Sequence, residues 1–477
     1  MKTKLTEDWL AVYLGLLLFT LSLATFSGAD LLGWAVNTSV WTNISKALGP
    51  ASKTFGALPG LVSLLATYLF LLVLLTVGAR MLRGDPVRFA KGFTAVFFAS
   101  YACWIAGSWA YIAATPDKRA AFHIGWSLNL TNEAGFIVAL LAGLLVGNFF
   151  PYAAAGMKEA IRPELYVKTA IVILGGFLGV TAAEQMGLAS SMMFNGLCAI
   201  LAAYLIYWAV VYFIARKYFG FSREWAAPLA SGISICGVSA AIATGSAIKA
   251  RPVVPIMVSS LVVIFAVVEL LFLPFVAQHF LFHEPMVAGA WMGLAVKTDG
   301  AAVTSGAITD ALIRARALAD GVRYQPGWVM GASTTVKVFI DVFIGVWAFV
   351  LAWIWAAKIE PRPGEKVKAV QIWERFPKFV LGYIATFLAI LAIGLLAPRL
   401  IPKAKAAMGQ ANIFRGIFFV MTFFTIGVVS NFRKLWEEGI GKLALVYVLC
   451  LFGFIIWVGL AISWIFFHGV KPPLMQG

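Results

Sequence analysis

Pro228-Leu-Ala-Ser-Gly-Ile-Ser-Ile-Cys-Gly-Val-Ser-Ala-Ala-Ile-Ala-Thr-Gly-Ser246 is apolar enough for a membrane, yet crowded with glycine and hydroxyl side chains. Each glycine inside a helix costs about 1 kcal/mol relative to alanine, so this density disfavours an unbroken helix. In hydrocarbon, unwound backbone survives only where it is buried in protein or lines a cavity. A break around Ser234–Gly237 would leave amides at the start of the next half-helix, a partial positive charge suited to an anion. Ser234, Cys236, Gly237 and Ser239 are therefore candidate binding residues. The other reading is a small-residue face for helix packing.

A second stretch has the same character: Gly289-Ala-Trp-Met-Gly-Leu-Ala-Val-Lys-Thr-Asp-Gly-Ala-Ala-Val-Thr-Ser-Gly306. Lys297 and Asp299 interrupt an apolar run, and ionisable groups at membrane depth are costly enough to point to function. Thr298 or Asp299 before Gly300 reads as an N-cap opening a second half-helix. Two glycine-broken segments of this kind mark the binding site of many transporters. Alternatively, Lys297 snorkels from an interface and Asp299 is a plain cap. Downstream, Lys337 and Asp341 lie four apart on one helix face, as structural pair, substrate contact or coupling switch.

Outward from these segments, the chain is that of a membrane protein. Of 477 residues, 61% are hydrophobic and 12% charged, and mean hydropathy is +0.90. Soluble domains carry about 25% charged residues, and a soluble fold buries at most about three quarters of its chain surface. Apolar runs of bilayer length fall near 9–26, 58–79, 93–113, 134–149, 168–183, 195–215, 253–278, 328–357, 379–397, 411–430 and 443–467. The predicted fold is all-α, a polytopic transmembrane helix bundle with two interrupted helices near 226–249 and 288–312. A faint echo between 168–180 and 416–428 suggests internal repeats. Residues 27–57, dotted with Trp34 and Trp41, are expected to form an interfacial helix.

The net charge of +16 comes from 37 Lys+Arg against 21 Asp+Glu. These basic residues cluster in short connections, which sets topology by the positive-inside rule and needs no nucleic-acid partner. Arg80, Arg83, Arg88 and Lys91 place one turn in the cytoplasm, and Lys158, Arg162 and Lys168 another. A bacterial inner-membrane protein with a cytoplasmic N-terminus follows, although the basic stretch Arg314–Arg323 fits that scheme poorly. His279 and His283 beside Glu284 have metal-like spacing without a third ligand and read as interfacial. Glu269, inside Val-Val-Glu-Leu-Leu, is either a proton relay or a buried neutral carboxyl. With no nucleophile–base set, phosphate loop or ATPase motif, neither an enzyme nor a cofactor is expected. A structural membrane subunit remains the alternative outside transport.

The run Ser234–Ala240, with Ala247–Ala250 behind it, resembles a bacterial family of sulfate exporters. Leu144–Asn148, Ala170–Gly175, the Gly293–Gly306 segment and Val336-Lys337 extend the resemblance over roughly 134–467. It implies an inverted-repeat fold related to bile-acid symporters and sodium/proton antiporters, in which interrupted helices move against a panel. It also implies export of sulfate or related sulfur oxyanions and organosulfonates. Residues 1–132 then hold extra transmembrane helices and 133–470 the transporter core. This chain departs from the pattern at Lys297-Thr298, where members resemble His-Glu, and at Ile340, where a basic residue is usual. A permanent cation suits an anionic solute, so Lys297, Thr298 and Lys337 join the candidate binding set. Asp299 and Asp341 are candidates for proton or sodium coupling. A coupled exchanger of a cation or neutral solute is the alternative, and the N-terminal helices could serve a homodimer.

Overall fold

The computed structural model describes residues 5–114, 118–128, 134–184, 186–235, 237–251, 253–359, 377–430 and 441–475. Its helices are α1 (Glu7–Leu23), α2 (Gly60–Met81), α3 (Pro86–Gly107), α4 (Ala110–Ala113), α5 (Ala134–Phe149), α6 (Pro151–Met157), α7 (Pro163–Glu184), α8 (Met186–Lys217), α9 (Arg223–Ser234) and α10 (Gly237–Ala247). They continue as α11 (Val253–Phe280), α12 (Pro285–Ala295), α13 (Asp299–Ala319), α14 (Trp328–Ile354), α15 (Phe379–Leu396), α16 (Ile401–Val429), α17 (Gly441–Cys450) and α18 (Ile456–Phe467). Nine helical segments among the described residues are long and apolar enough to span a bilayer. α5 is a tenth only if joined to α6, to which it is bent by 112°. Pro151 opens α6 and explains the bend, because it offers no N–H to continue the ladder. The α14 run, also expected to span, has described apolar residues over Trp328–Ile340.

The chain forms two compact units. The first holds residues 1–189, 318–322 and 378–429. At its centre α7, almost wholly buried, packs against α1, α15 and α16. Thr6 caps α1, whose first-turn Glu7 and Asp8 suit the positive helix end. The same two carboxylates fasten α1 to the start of α7: Arg162 Nη1 meets Glu7 at 2.5 Å and Lys168 Nζ meets Asp8 at 2.9 Å.

Residues 27–57 do not make the expected helix. Val36–Thr38 (β1) pairs antiparallel with Leu48–Pro50 (β2), in register Val36 to Pro50. Around the strands, Asn43 and Ser52 side chains accept turn N–H groups from Ser45 and Thr54. These local bonds compete with helix formation. Trp41 faces protein, donating its indole N–H to Ile105 O at 2.7 Å.

The second unit holds residues 190–317, 323–377 and 430–477. Every residue of α12 is buried. A Cβ on Gly289 would lie 2.4 Å from Val329 O, and one on Gly293 2.7 Å from Ser333 O. These glycines, four apart, let α12 and α14 approach backbone to backbone. α12 is further fixed to α18 by Trp291 Nε1, which donates to Ile456 O at 2.8 Å. α14 is held at its start by buried Asp310 of α13, which accepts from Gly327 N and Val329 N, both at 3.1 Å. Arg314 Nε adds a bond of 2.7 Å to the same carboxylate. Asp310→Ala removes this cap and is expected to cost about 1–3 kcal/mol. Thermal unfolding in detergent checks it, and an unchanged melting temperature would refute the capping role.

Candidate functional site

Two helices of the second unit break where the small residues predict. α9 ends at Ser234, Ile235 leaves helical geometry at φ −112° and ψ −103°, and α10 begins at Gly237. α12 ends at Ala295, Val296 is extended, and α13 begins at Asp299. Thr298 Oγ1 accepts from Ala301 N at 3.2 Å, so threonine opens the second half-helix. The two breaks touch: a Cβ on Gly237 would sit 2.8 Å from Lys297 O.

Each break exposes the carbonyl end of one half-helix, a partial negative charge that burial makes costly. Lys337, reaching in from α14 and 1% exposed, answers both. Its Nζ donates to Ile235 O at 3.0 Å in the first break, and to Val296 O and Lys297 O at 3.4 Å in the second. One ammonium thus clasps two helix ends, and three carbonyls replace its water. Lys297, also 1% exposed, turns its Nζ back onto Leu294 O in the last turn of α12. That ammonium lies 4.9 Å from the ring centre of Tyr207 on α8, a cation–π contact.

Glu269 completes the set. It lies on α11, is fully buried, and accepts the Lys297 peptide N–H through Oε2 at 3.2 Å. Its Oε1 has no hydrogen-bond partner among the described residues, nor have the buried Ser234 Oγ, Thr304 Oγ1, Ser305 Oγ and Tyr207 hydroxyl. Lys297 and Lys337 both bear electrostatically on the carboxylate. Sequence reading gives Glu269 as a proton relay or a buried neutral carboxyl, without placing it beside Lys297. Its signal was an acidic residue in an otherwise unbroken apolar run.

Of the sequence-derived candidates, Ser234, Gly237, Lys297, Thr298 and Lys337 come together around the breaks. Cys236 and the side chains of Ser239, Asp299 and Asp341 lie outside the described residues. Nearby, Ser231 Oγ accepts from Trp208 Nε1 at 3.0 Å and Thr244 Oγ1 at 2.8 Å, lacing α9 to α8 and α10. Glu284 is engaged by Gly469 N at 2.9 Å and by His468 Nδ1 at 3.2 Å.

Apolar spans and buried broken helices clasped by lysine define a multi-pass, all-α membrane protein. The family described as Conserved hypothetical protein 698 matches residues 120–446, more than half of the chain. The chain belongs to this family. UPF0324 membrane protein NE0724 of Nitrosomonas europaea is 41% identical over 478 residues, covering 98% of this chain and 97% of its own. A UPF0324 membrane protein of Nitratidesulfovibrio vulgaris is 27% identical over 83% of this chain and 63% of its own. UPF0324 membrane protein SAG1125 of Streptococcus agalactiae is 25% identical over 67% and 87% respectively. No solved structure matches.

Proposed function

We propose that this protein is a secondary transporter of a small anion, sulfate or a related sulfur oxyanion or organosulfonate, in the bacterial inner membrane. The observation that carries the reading is the pair of touching helix breaks with two fully buried lysine side chains beside them. Buried charge is expensive unless it is paired, and a purely structural bundle gains nothing from breaking two helices around it. The two lysines have different work. Lys337 bridges separate helices and holds the breaks together. Lys297 bonds a carbonyl three residues back, in the last turn of α12, a contact that rotation of its side chain can exchange for a bound anion. The amides opening α10 and α13 favour the same sign of charge.

The resemblance to sulfate exporters supplies the substrate class and, with it, the inverted-repeat fold of the bile-acid symporter type. Export, a cytoplasmic N-terminus, carriage without chemical conversion, and pairing into a homodimer belong to the same proposal. Sulfate flux into proteoliposomes tests it. A hydrogen bond to a charged group contributes about 1.5–3 kcal/mol, which is about ten- to a hundredfold in affinity. Lys297→Gln is expected to raise the half-saturating sulfate concentration by that factor. Sulfate and small organosulfonates that neither bind nor move in the wild-type protein would overturn the anion reading.

A further inference from the structure

Glu269 holds the second break through only one of its two carboxylate oxygens. One carboxylate oxygen takes the Lys297 peptide N–H at 3.2 Å, while the other, fully buried, meets no donor among the described residues. A buried acceptor left open costs stability, and such groups in a native protein call for an explanation. A charged carboxylate accepts hydrogen bonds on both oxygens, whereas a protonated one carries its own donor. The site is therefore compatible with either protonation state, and its surroundings decide between them.

The groups that face Glu269 among the described residues come from three neighbouring elements. Lys297 lies at the break after α12, Lys337 on α14 and Tyr447 on α17. The Tyr447 hydroxyl is also buried without a partner there. Positive charge on the two lysines offsets part of the cost that full burial places on a charged carboxylate. An anion arriving at Lys297 offsets that positive charge within one side chain's length of Glu269. Electrostatics then favours the neutral carboxyl.

We propose that Glu269 is the coupling group, taking up one proton from water when the anion binds at Lys297 and returning it when the anion leaves. This rests on the anion-transport reading. The step forms the Oε1–H bond at the expense of a hydronium O–H bond and needs no other reactant. By linkage, each ligand raises the affinity for the other by the same factor, so anion and proton move in the same direction. Glu269 also holds the peptide of Lys297 itself, so protonation weakens the bond that fixes the second break. That ties the charge change to the element that must move.

Two measurements on the full chain test this. Adding sulfate to detergent-solubilised wild-type protein in weak buffer is expected to raise the solution pH by net proton uptake, and Glu269→Gln to abolish that signal. In proteoliposomes, acidifying the sulfate-containing side is expected to raise wild-type flux by up to tenfold per pH unit. The ratio of acid to neutral flux falls to about one in Glu269→Gln. Sulfate binding by the wild type with no proton uptake, or with uptake replaced by a sodium requirement, overturns the coupling role and leaves the anion reading standing. So does an unchanged flux ratio in the variant. A wild type that binds no sulfate overturns both. If Glu269→Gln fails to insert, the wild-type proton signal decides alone.

Discussion

Lys337→Met is expected to reduce transport to background and to lower stability by about 3–5 kcal/mol, the range for stripping one partner from a buried charged contact. Methionine nearly matches lysine in volume and is readily buried, so lost packing is not the cause. Replacing a buried ion pair with apolar residues is often harmless, because both charges go together. Here the partners are backbone carbonyls of Ile235, Val296 and Lys297, which no substitution removes. They would remain at two helix ends with their donor gone. Lys337→Arg is not expected to rescue: the planar guanidinium is wider than an ammonium seated 3.0–3.4 Å from three oxygens. Melting in detergent and flux in proteoliposomes read the two effects separately. A methionine variant that melts within about 1 kcal/mol of wild type and still transports would show that Lys337 does not hold the breaks.

That clasp marks where sequence reading stops. Breaks at Ser234–Gly237 and between Ala295 and Asp299 were legible, because glycine and hydroxyl density acts locally on helix formation. The spans were legible too, since hydropathy over about 20 residues is a local sum. The lysine's partners were not. Spacing draws attention to Asp341, four residues on, whereas the described contacts come from carbonyls 41 and 102 residues away. A carbonyl has no letter in the sequence, so no pattern can announce it. The place of Glu269 beside Lys297 was hidden for a related reason: its partner is the peptide N–H of Lys297, 28 residues on. Residues 27–57 misled in the other direction. Their tryptophans suit an interface, but Trp41 instead spends its N–H on a backbone carbonyl of α3. The 112° turn after α5 had a local signal in Pro151, which a hydropathy window averages away.

Gly237→Ala is expected to cost about 2–5 kcal/mol and to abolish flux, combining backbone strain with a collision between the two breaks. Gly237 has φ +39°, a region that residues with a side chain rarely adopt. Its new Cβ would also lie 2.3 Å from Val262 Cγ1 and 2.8 Å from Lys297 O. Valine can rotate away. The carbonyl cannot, because Lys337 holds it and its peptide neighbour is tied to Glu269 through the Lys297 N–H. Relief must come from parting the breaks, which pulls Ile235 O and Lys297 O away from their shared ammonium. Gly220 separates the two causes: it has φ +64° but nothing within 4 Å of its virtual Cβ. Gly220→Ala thus carries the strain without the collision, and should lose about 1 kcal/mol while transporting normally. If the two alanine variants behave alike, positive φ alone accounts for Gly237. If only Gly237→Ala loses flux, the contact between the breaks is what transport requires.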